Sequence, residues 1–418
     1  MDRALLQILR CPYCGTALEI VENDALVIDG AEVLRGALGC ECCAYPVLDG
    51  IPVLIADDDT RRALHALEDG RPDDALLDLL GGGHDEAGRE RLTEIFGGGG
   101  ATYREALELL CDDAEGTYLL HRFADPTYVT MEALLRAVAQ AEWPLEGRVL
   151  DLCGGAGHVT RVLRSLQAEA GHRSSGVLVA DLYFWKLWLA RRFVSPGVQA
   201  ICCNADTPLP FARDTFSTVL LADAFPYIWH KRLAVGEMMR LVGPDGLVVM
   251  PHLHSSEGDN HSAGDTLTPG AYQGLFEGRE VRLFSDTALF DDVVERHVVD
   301  LTLDRTPEQL GSEASFTLVS TERSDLFDSY EVRPAREVTG ALIVNPLYRI
   351  DADGSVSTLT LHFPTPEYED EFGMCRRYLP ESLAMQVDLN GAITPELFGS
   401  NYQELRDCRV LLDAPEAY

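Results

Sequence analysis

Apolar positions through the middle of the chain switch between a helical period and short continuous runs, and that switching predicts a βα series. Met131, Leu134, Leu135 and Val138 recur at helical spacing, with Trp143 beyond them, predicting a helix over 128–142 that Pro144 closes. Strands are predicted at 148–152, 176–182, 198–203, 216–222 and 246–252, with helices at 158–170, 183–193 and 231–241 between them. Strands that alternate with helices imply a parallel sheet covered on both faces. Past 255 the pattern is mixed, with helices at 269–276 and 288–295 and strand-like runs at 298–303 and 316–321.

The flanks read differently. Residues 1–58 hold short strands at 19–21 and 25–28 around the polar Asn23-Asp24. Residues 59–120 are rich in Ala, Leu, Asp and Arg, and are broken by Gly81-Gly82-Gly83 and by Gly97 to Gly100, which reads as a helical connector with glycine hinges. At the other end, 323–418 contains Ala341-Leu342-Ile343-Val344 and Ser357-Thr358-Leu359-Thr360-Leu361, a β-rich α+β appendage. Four units are therefore expected, at 1–58, 59–120, 121–322 and 323–418, since 418 residues exceed one ordinary domain.

Composition narrows the function. The chain carries a formal charge of −34, and Lys186 and Lys231 are its only lysines. A phosphate backbone is bound by clustered cations, and no dense Arg/Lys run is present, so nucleic acid is disfavoured as a substrate. No apolar stretch is long enough to span a bilayer. The start, Met1-Asp2-Arg3-Ala4-Leu5-Leu6, lacks the pattern of a secretory signal, and a cytoplasmic protein is expected.

Eleven cysteines in such a chain point to metal or buried thiols before disulfides. Cys11-x2-Cys14 and Cys40-x2-Cys43 have the spacing of two zinc knuckles that supply four thiolates to a tetrahedral, structural Zn2+. Cys42 is a rival to Cys43 for the fourth position.

The first predicted strand of the core runs into a glycine turn, Asp151-Leu152-Cys153-Gly154-Gly155-Ala156-Gly157, that opens a helix. Glycines there permit positive φ and close approach of a ligand to the backbone. A nicotinamide site would want Gly or Ala near position 160, where Thr160 stands. Asp181 ends the second strand, where a carboxylate can accept ribose hydroxyls, and Asp206 follows the third, where one can take the amino hydrogens of adenine. Both lie at the C-terminal edge of the sheet, where open α/β folds bind ligands.

With these residues in place, 121 to about 322 resembles the class I S-adenosylmethionine-dependent methyltransferases, whose core is Rossmann-like. Asp151 to Gly157 is similar to their first motif, Asp181 to the acid after strand two, and Asp206-Thr207-Pro208-Leu209-Pro210-Phe211 to their third-strand segment. The run from Phe216 to Asp223 looks like their fourth motif, and Phe316-Thr317-Leu318-Val319 like their last strand. Cys153 stands where glycine is usual, and Ser217 where aspartate is usual. The resemblance implies S-adenosylmethionine as cofactor, held by Asp151, Cys153, Gly155, Gly157, Asp181, Leu182, Asp206 and Thr207. It also implies that Arg122 and Tyr128, just before the core, close over it. The first unit resembles the Trm112-like zinc ribbons, whose second knuckle leads into a run like Tyr45-Pro46 and Asp49-Gly50-Ile51-Pro52.

Methyl transfer needs a positioned nucleophile and, for a hydroxyl or amine, a base. Asp223 and His230 follow strand four, and His252, His254 and His261 follow strand five, so Asp223, His230, His252 and His254 are the candidate catalytic residues. The expected activity is methylation of a small molecule in specialised metabolism, with no membrane partner and a homo-oligomer left open. An rRNA or tRNA methyltransferase and a non-catalytic cofactor-binding regulator are the alternatives.

Overall fold

The computed structural model describes residues 1–81, 85–171, 176–334, 338–353, 356–389 and 391–418. Gly82 and Gly83, part of the first expected hinge, lie outside the described residues.

A seven-stranded sheet forms the core, from β1 (Val149–Leu152), β2 (Val177–Asp181), β3 (Gln199–Cys202), β4 (Thr218–Leu220), β5 (Leu247–His254), β6 (Val281–Ser285) and β7 (Ser315–Ser320). Their order is β3-β2-β1-β4-β5-β7-β6. The first five are parallel, while β7 runs antiparallel to both β5 and β6. Every residue of β1 and β2 is buried, as expected of parallel strands covered on both faces. This is the Rossmann-like arrangement of class I methyltransferases. β6 was not foreseen. The run at 298–303 forms a strand only at Val298–Asp300, where it pairs with Ser329–Glu331 outside the core sheet.

Five helices frame the sheet: α1 (Pro126–Gln140), α2 (His158–Glu169), α3 (Phe184–Leu189), α4 (Lys231–Val242) and α5 (Asp286–Arg296). Asp125 caps α1 by accepting the Tyr128 amide at 2.8 Å, and Pro126 occupies the first turn, where its missing N–H costs nothing. The helix expected over 183–193 is α-helical only to Leu189; a π-turn spans Ala190–Val194. That wider turn aims Arg191 at the N-terminal unit, where it donates to the Asp49 carbonyl at 3.0 Å and pairs with Glu32.

The N-terminal unit continues the core sheet. Val53 bridges Cys202 in parallel, and the Leu54 amide donates to the Cys202 carbonyl at 2.7 Å, so the unit caps the exposed edge of β3. The expected connector consists of packed helices, Asp58–Glu68, Pro72–Leu79, Glu86–Phe96, Tyr103–Leu110 and Ala114–His121. Each of the last four begins at an acid, threonine or proline: Pro72 at its first position, and Asp85, Thr102 and Asp113 as caps accepting backbone amides. The C-terminal region holds a three-stranded sheet, the pair Ala341–Val344 with Leu411–Ala414, and short helices. It docks on the core through Arg161 to Asp413 at 2.7 Å and Arg409 to Glu132 at 2.6 Å.

Candidate active site

The glycine loop leaves β1 with Cys153 at φ 59°, Gly155 at 53° and Gly157 at 81°. Only one of these is a strained choice, since glycine adopts positive φ freely and cysteine does not. Gly154 is fixed by space instead, because a Cβ there would lie 2.6 Å from the Asp151 carboxylate and 2.8 Å from Val179. Gly157 begins α2 and lies against Ala190, which a Cβ would approach to 2.8 Å. Its role in this structure is close helix packing; the side chains around the ligand cavity belong to its neighbours.

Asp181 ties the loop to β2. Its Oδ2 accepts the Gly155 amide and its Oδ1 the Tyr183 amide, both at 2.9 Å. Burial raises its pKa against those two bonds and the nearby Lys186. Asp151 is buried deeper. Thr160 donates to its Oδ2 at 2.5 Å, while Oδ1 has no partner among the described residues. Burial, with Asp181 close by, lifts its pKa to about 7.

These groups line a cavity of about 620 Å³, within the usual size for a cofactor or drug-sized ligand. Cys153, Gly155, Leu182 and Asp206 line it too. Asp206 accepts the His230 amide at 2.7 Å, and its own amide is held by Asn204 at 2.8 Å. The arrangement suits S-adenosylmethionine, a cationic cofactor: a glycine loop open to a ligand, acids beyond strands two and three, and a buried carboxylate oxygen without a partner among the described residues. Thr207 turns away and donates to the Asn204 carbonyl. Tyr128 also departs from expectation. Its ring packs edge-on against Phe123 beneath α1, and it faces a separate small cavity with Glu132 and Arg161. Arg122 lines the larger cavity, clamped by Asp125 and lying 5.2 Å from the centre of the Tyr118 ring. Ser217 stabilises the start of β4 by donating to the Pro144 carbonyl at 2.7 Å.

A second cavity, of about 250 Å³, adjoins the first. His254, His261 and Glu371 line both. His252 faces the second and Asp223 the first. His254 Nε2 lies 3.0 Å from Asp223 Oδ1, and His252 Nδ1 lies 3.0 Å from Asp286 Oδ2. Burial works against a charged His252, but the hydrogen bond to Asp286 and the charges of Asp223 and Asp286 outweigh it and lift its pKa to about 9. For Asp223 the balance is reversed: burial raises the carboxyl, and the bond from His254 with nearby positive charge holds it below its ordinary value. His230 is not part of this group. It is exposed at the start of α4, with Nδ1 3.3 Å from Asp206.

Tyr118, Glu371 and Phe372 escaped the sequence reading. Tyr118 comes from the last connector helix, and Glu371 and Phe372 from the C-terminal helix Pro366–Phe372. The connector and the appendage thus supply walls of the site. Lys186 carried a signal, as one of two lysines: it pairs with Glu115, and both line the larger cavity.

At the other end of the chain, Cys11, Cys14, Cys40 and Cys42 each bring a sulfur within 4.8 Å of the others. Cys42 replaces Cys43 in this group, because the turn closed by Cys40 and Cys43, whose backbone groups bond at 2.9 Å, carries Cys42 at its tip. The Sγ separations are 3.7 Å for Cys11 and Cys42, 3.7 Å for Cys14 and Cys40, and 3.5 Å for Cys40 and Cys42. Four thiolates at about 2.3 Å from a tetrahedral zinc stand about 3.8 Å apart, so the sulfurs fit that ion.

The chain is 31% identical over 116 residues to the ubiquinone/menaquinone biosynthesis C-methyltransferases UbiE of Burkholderia mallei, Burkholderia pseudomallei and Burkholderia thailandensis. The match covers 27% of this chain and 46% of those proteins, so the chain spans about half the length of the curated relatives it matches. No family model matches the chain. Similar solved structures include a TehB-like SAM-dependent methyltransferase from Corynebacterium glutamicum, at 20% identity and TM-score 0.34, covering 46% of this chain and 88% of that one. Another is a SAM-dependent methyltransferase from Aquifex aeolicus, at 13% and 0.35, covering 50% and 97%. The matched stretch is thus similar to part of known methyltransferases, and the fold of the core is Rossmann-like. No described helix is long and apolar enough to cross a membrane.

Proposed function

We propose that this protein transfers a methyl group from S-adenosylmethionine to a small-molecule acceptor. The observation that carries this reading is the junction of two cavities at His254, His261 and Glu371. The larger has the cofactor's chemistry; the smaller is lined by Met131, Leu134, Phe290 and Phe372 beside His252, and is of a size for a compact, partly apolar acceptor.

Asp181 and Asp206 orient the cofactor's ribose and adenine, and Asp151 faces its positive charge. Bound there, the cofactor supplies an electrophilic methyl on a sulfonium. Tyr118, Arg122 and Glu371 close the cleft against water, and the Asp223–His254 pair stands where the acceptor's reacting atom must be activated. Cys11, Cys14, Cys40 and Cys42 hold a structural zinc, and four thiolates leave that ion no open position for catalysis. The four units expected from the sequence act as one catalytic body, with substrate walls drawn from three of them.

The test is calorimetric binding of S-adenosylmethionine followed by turnover with small-molecule extracts, reading S-adenosylhomocysteine. Cofactor binding and product from the extract are expected. Tight, steeply salt-dependent binding of tRNA or rRNA, with methyl incorporated there, would refute the small-molecule acceptor. Failure to bind the cofactor at all would refute the enzyme.

A further inference from the structure

Strand β5 does not end cleanly. Its register with β7 breaks between Met250 and Leu253, and within the break His252 takes φ 58°. Just past β4, Asp223 takes φ 56°. Neither residue favours that conformation, and both turn their side chains toward one point, as strained residues at functional sites do. The rings of His252 and His254 stand 4.9 Å apart, and Asp223, His252 and His254 each bring a donor atom within 4.8 Å of the others.

The surroundings are those of ligands. The Nδ1–H of His252 donates to Asp286 Oδ2 at 3.0 Å, and Asp286 Oδ1 accepts from Thr317 Oγ1 at 2.7 Å. This chain fixes the ring with Nε2 toward the cleft, the outer-shell pattern that holds metal-ligating histidines, and an ion binding there takes the place of the Nε2 proton. The 3.0 Å between Asp223 Oδ1 and His254 Nε2 equals the spacing of adjacent ligands, about 3.0 Å, around an octahedral ion with bonds of about 2.1 Å. His254 Nδ1 is buried and has no partner among the described residues. The carboxylates of Asp223, Asp286, Glu371 and Asp259 line the two cavities here, with Arg122, His261 and Tyr118 among the other charged or titratable groups. A hydrogen-bonded His–Asp pair alone would need neither the fixed second histidine nor two strained backbones.

We propose that Asp223, His252 and His254 bind a divalent first-row transition ion between the two cavities. Two imidazoles and one carboxylate leave coordination positions open, and His254, shared by both cavities, sets those positions toward the acceptor. Resting on the cofactor and acceptor reading of the two cavities, this deepens it: the acceptor carries a hydroxyl or enol oxygen that the ion ligates and acidifies. The oxygen's proton passes to water and its electron pair forms the bond to the methyl carbon. The sulfur–methyl bond breaks with its pair retained by sulfur, leaving neutral S-adenosylhomocysteine sulfur and the methyl ether.

The full chain is titrated with Mn(II) and followed by electron paramagnetic resonance, because Mn(II) favours imidazole and carboxylate over the thiolates of the N-terminal unit. Co(II), followed by its visible d–d bands, is the second probe. Wild type is expected to bind a single Mn(II). His252→Ala is expected to abolish that binding and Asp286→Asn to weaken it by about 10–100-fold. Calorimetric affinity for S-adenosylmethionine, expected within about twofold of wild type in both variants, reports that they are folded. Normal cofactor affinity with neither Mn(II) nor Co(II) bound by the histidines overturns the ion and leaves the methyltransferase standing. Ion binding that persists undiminished in folded His252→Ala also overturns it. Loss of cofactor binding in wild type overturns the methyltransferase reading separately.

Discussion

Gly155 donates its amide hydrogen to Oδ2 of Asp181 at 2.9 Å, so the turn after β1 and the acid at the end of β2 hold each other in place. The carboxylate therefore holds the loop before any ligand arrives, and on the proposed cofactor reading its removal costs the ribose contact as well as the loop. Asp181→Ala is expected to weaken S-adenosylmethionine by about 100-fold, from two charge-assisted bonds at about 1.5 kcal/mol each. Asp181→Asn should fall between that variant and wild type. Calorimetric affinity unchanged in Asp181→Ala would show that the ribose lies elsewhere.

Asp151 makes stability and cofactor binding depend on pH. Its folded pKa of about 7 lies above the ordinary 3.8, so the folded state holds the proton more tightly than the unfolded chain. The stabilisation linked to that proton is complete below the unfolded value and is lost as pH rises through about 7. Its full size is on the order of 4 kcal/mol. Asp151→Asn should flatten the decline in melting temperature between pH 4 and 7. A cationic cofactor favours the carboxylate, so binding near pH 6 should release a proton, read as a heat that varies with the buffer's ionisation enthalpy. Buffer-independent heats at that pH would remove Asp151 from the cofactor's surroundings.

The βα series was legible because β1, β2 and β5 are buried runs whose neighbours are amphipathic helices, a pattern local in sequence. β6 was missed because Val281-Arg282-Leu283-Phe284-Ser285 is an edge strand with a charged residue inside it. The acids at strand ends were readable from position alone. The meeting of Asp223, His252, Asp286 and Glu371 was not, because it depends on two positive-φ residues and a break in register that no periodicity encodes. Tyr128 and His230 stood one turn or one rim from the cavities, a distance that sequence spacing does not resolve. Cys42 and Cys43 fit the second knuckle equally well on spacing, and only the turn geometry separates them.

That separation has a direct consequence. The purified chain is expected to hold one equivalent of zinc in the N-terminal unit by elemental analysis, with Cys42→Ser losing it and Cys43→Ser retaining it. Cys42→Ser should also expose the edge of β3, since the unit that caps it owes part of its stability to the ion. Zinc lost from Cys43→Ser but kept by Cys42→Ser would restore the spacing-based assignment.

Glu132 on α1 is the buried anchor of the C-terminal region. It receives Arg409 at 2.6 Å on one oxygen and Arg136 at 3.0 Å on the other. Burial would raise its pKa, but the two guanidinium charges win and hold it at about 2. Because the folded value lies below the ordinary 4.5, its contribution is present above that pH and lost as pH falls through about 2. Replacing it strands Arg409, buried against the core, while Arg136 keeps Glu169 at 3.7 Å. Glu132→Ala is therefore expected to cost about 3–5 kcal/mol, the usual penalty for an uncompensated buried charge. The loss should concentrate where Arg409 docks, so limited proteolysis of the variant should cut near 338–350 before the core sheet opens. Phe372 and Glu371 would then leave the acceptor cavity, raising the acceptor's KM while cofactor affinity holds. Equal proteolysis rates and an unchanged melting temperature in the variant would mean the appendage is held by its apolar contacts alone.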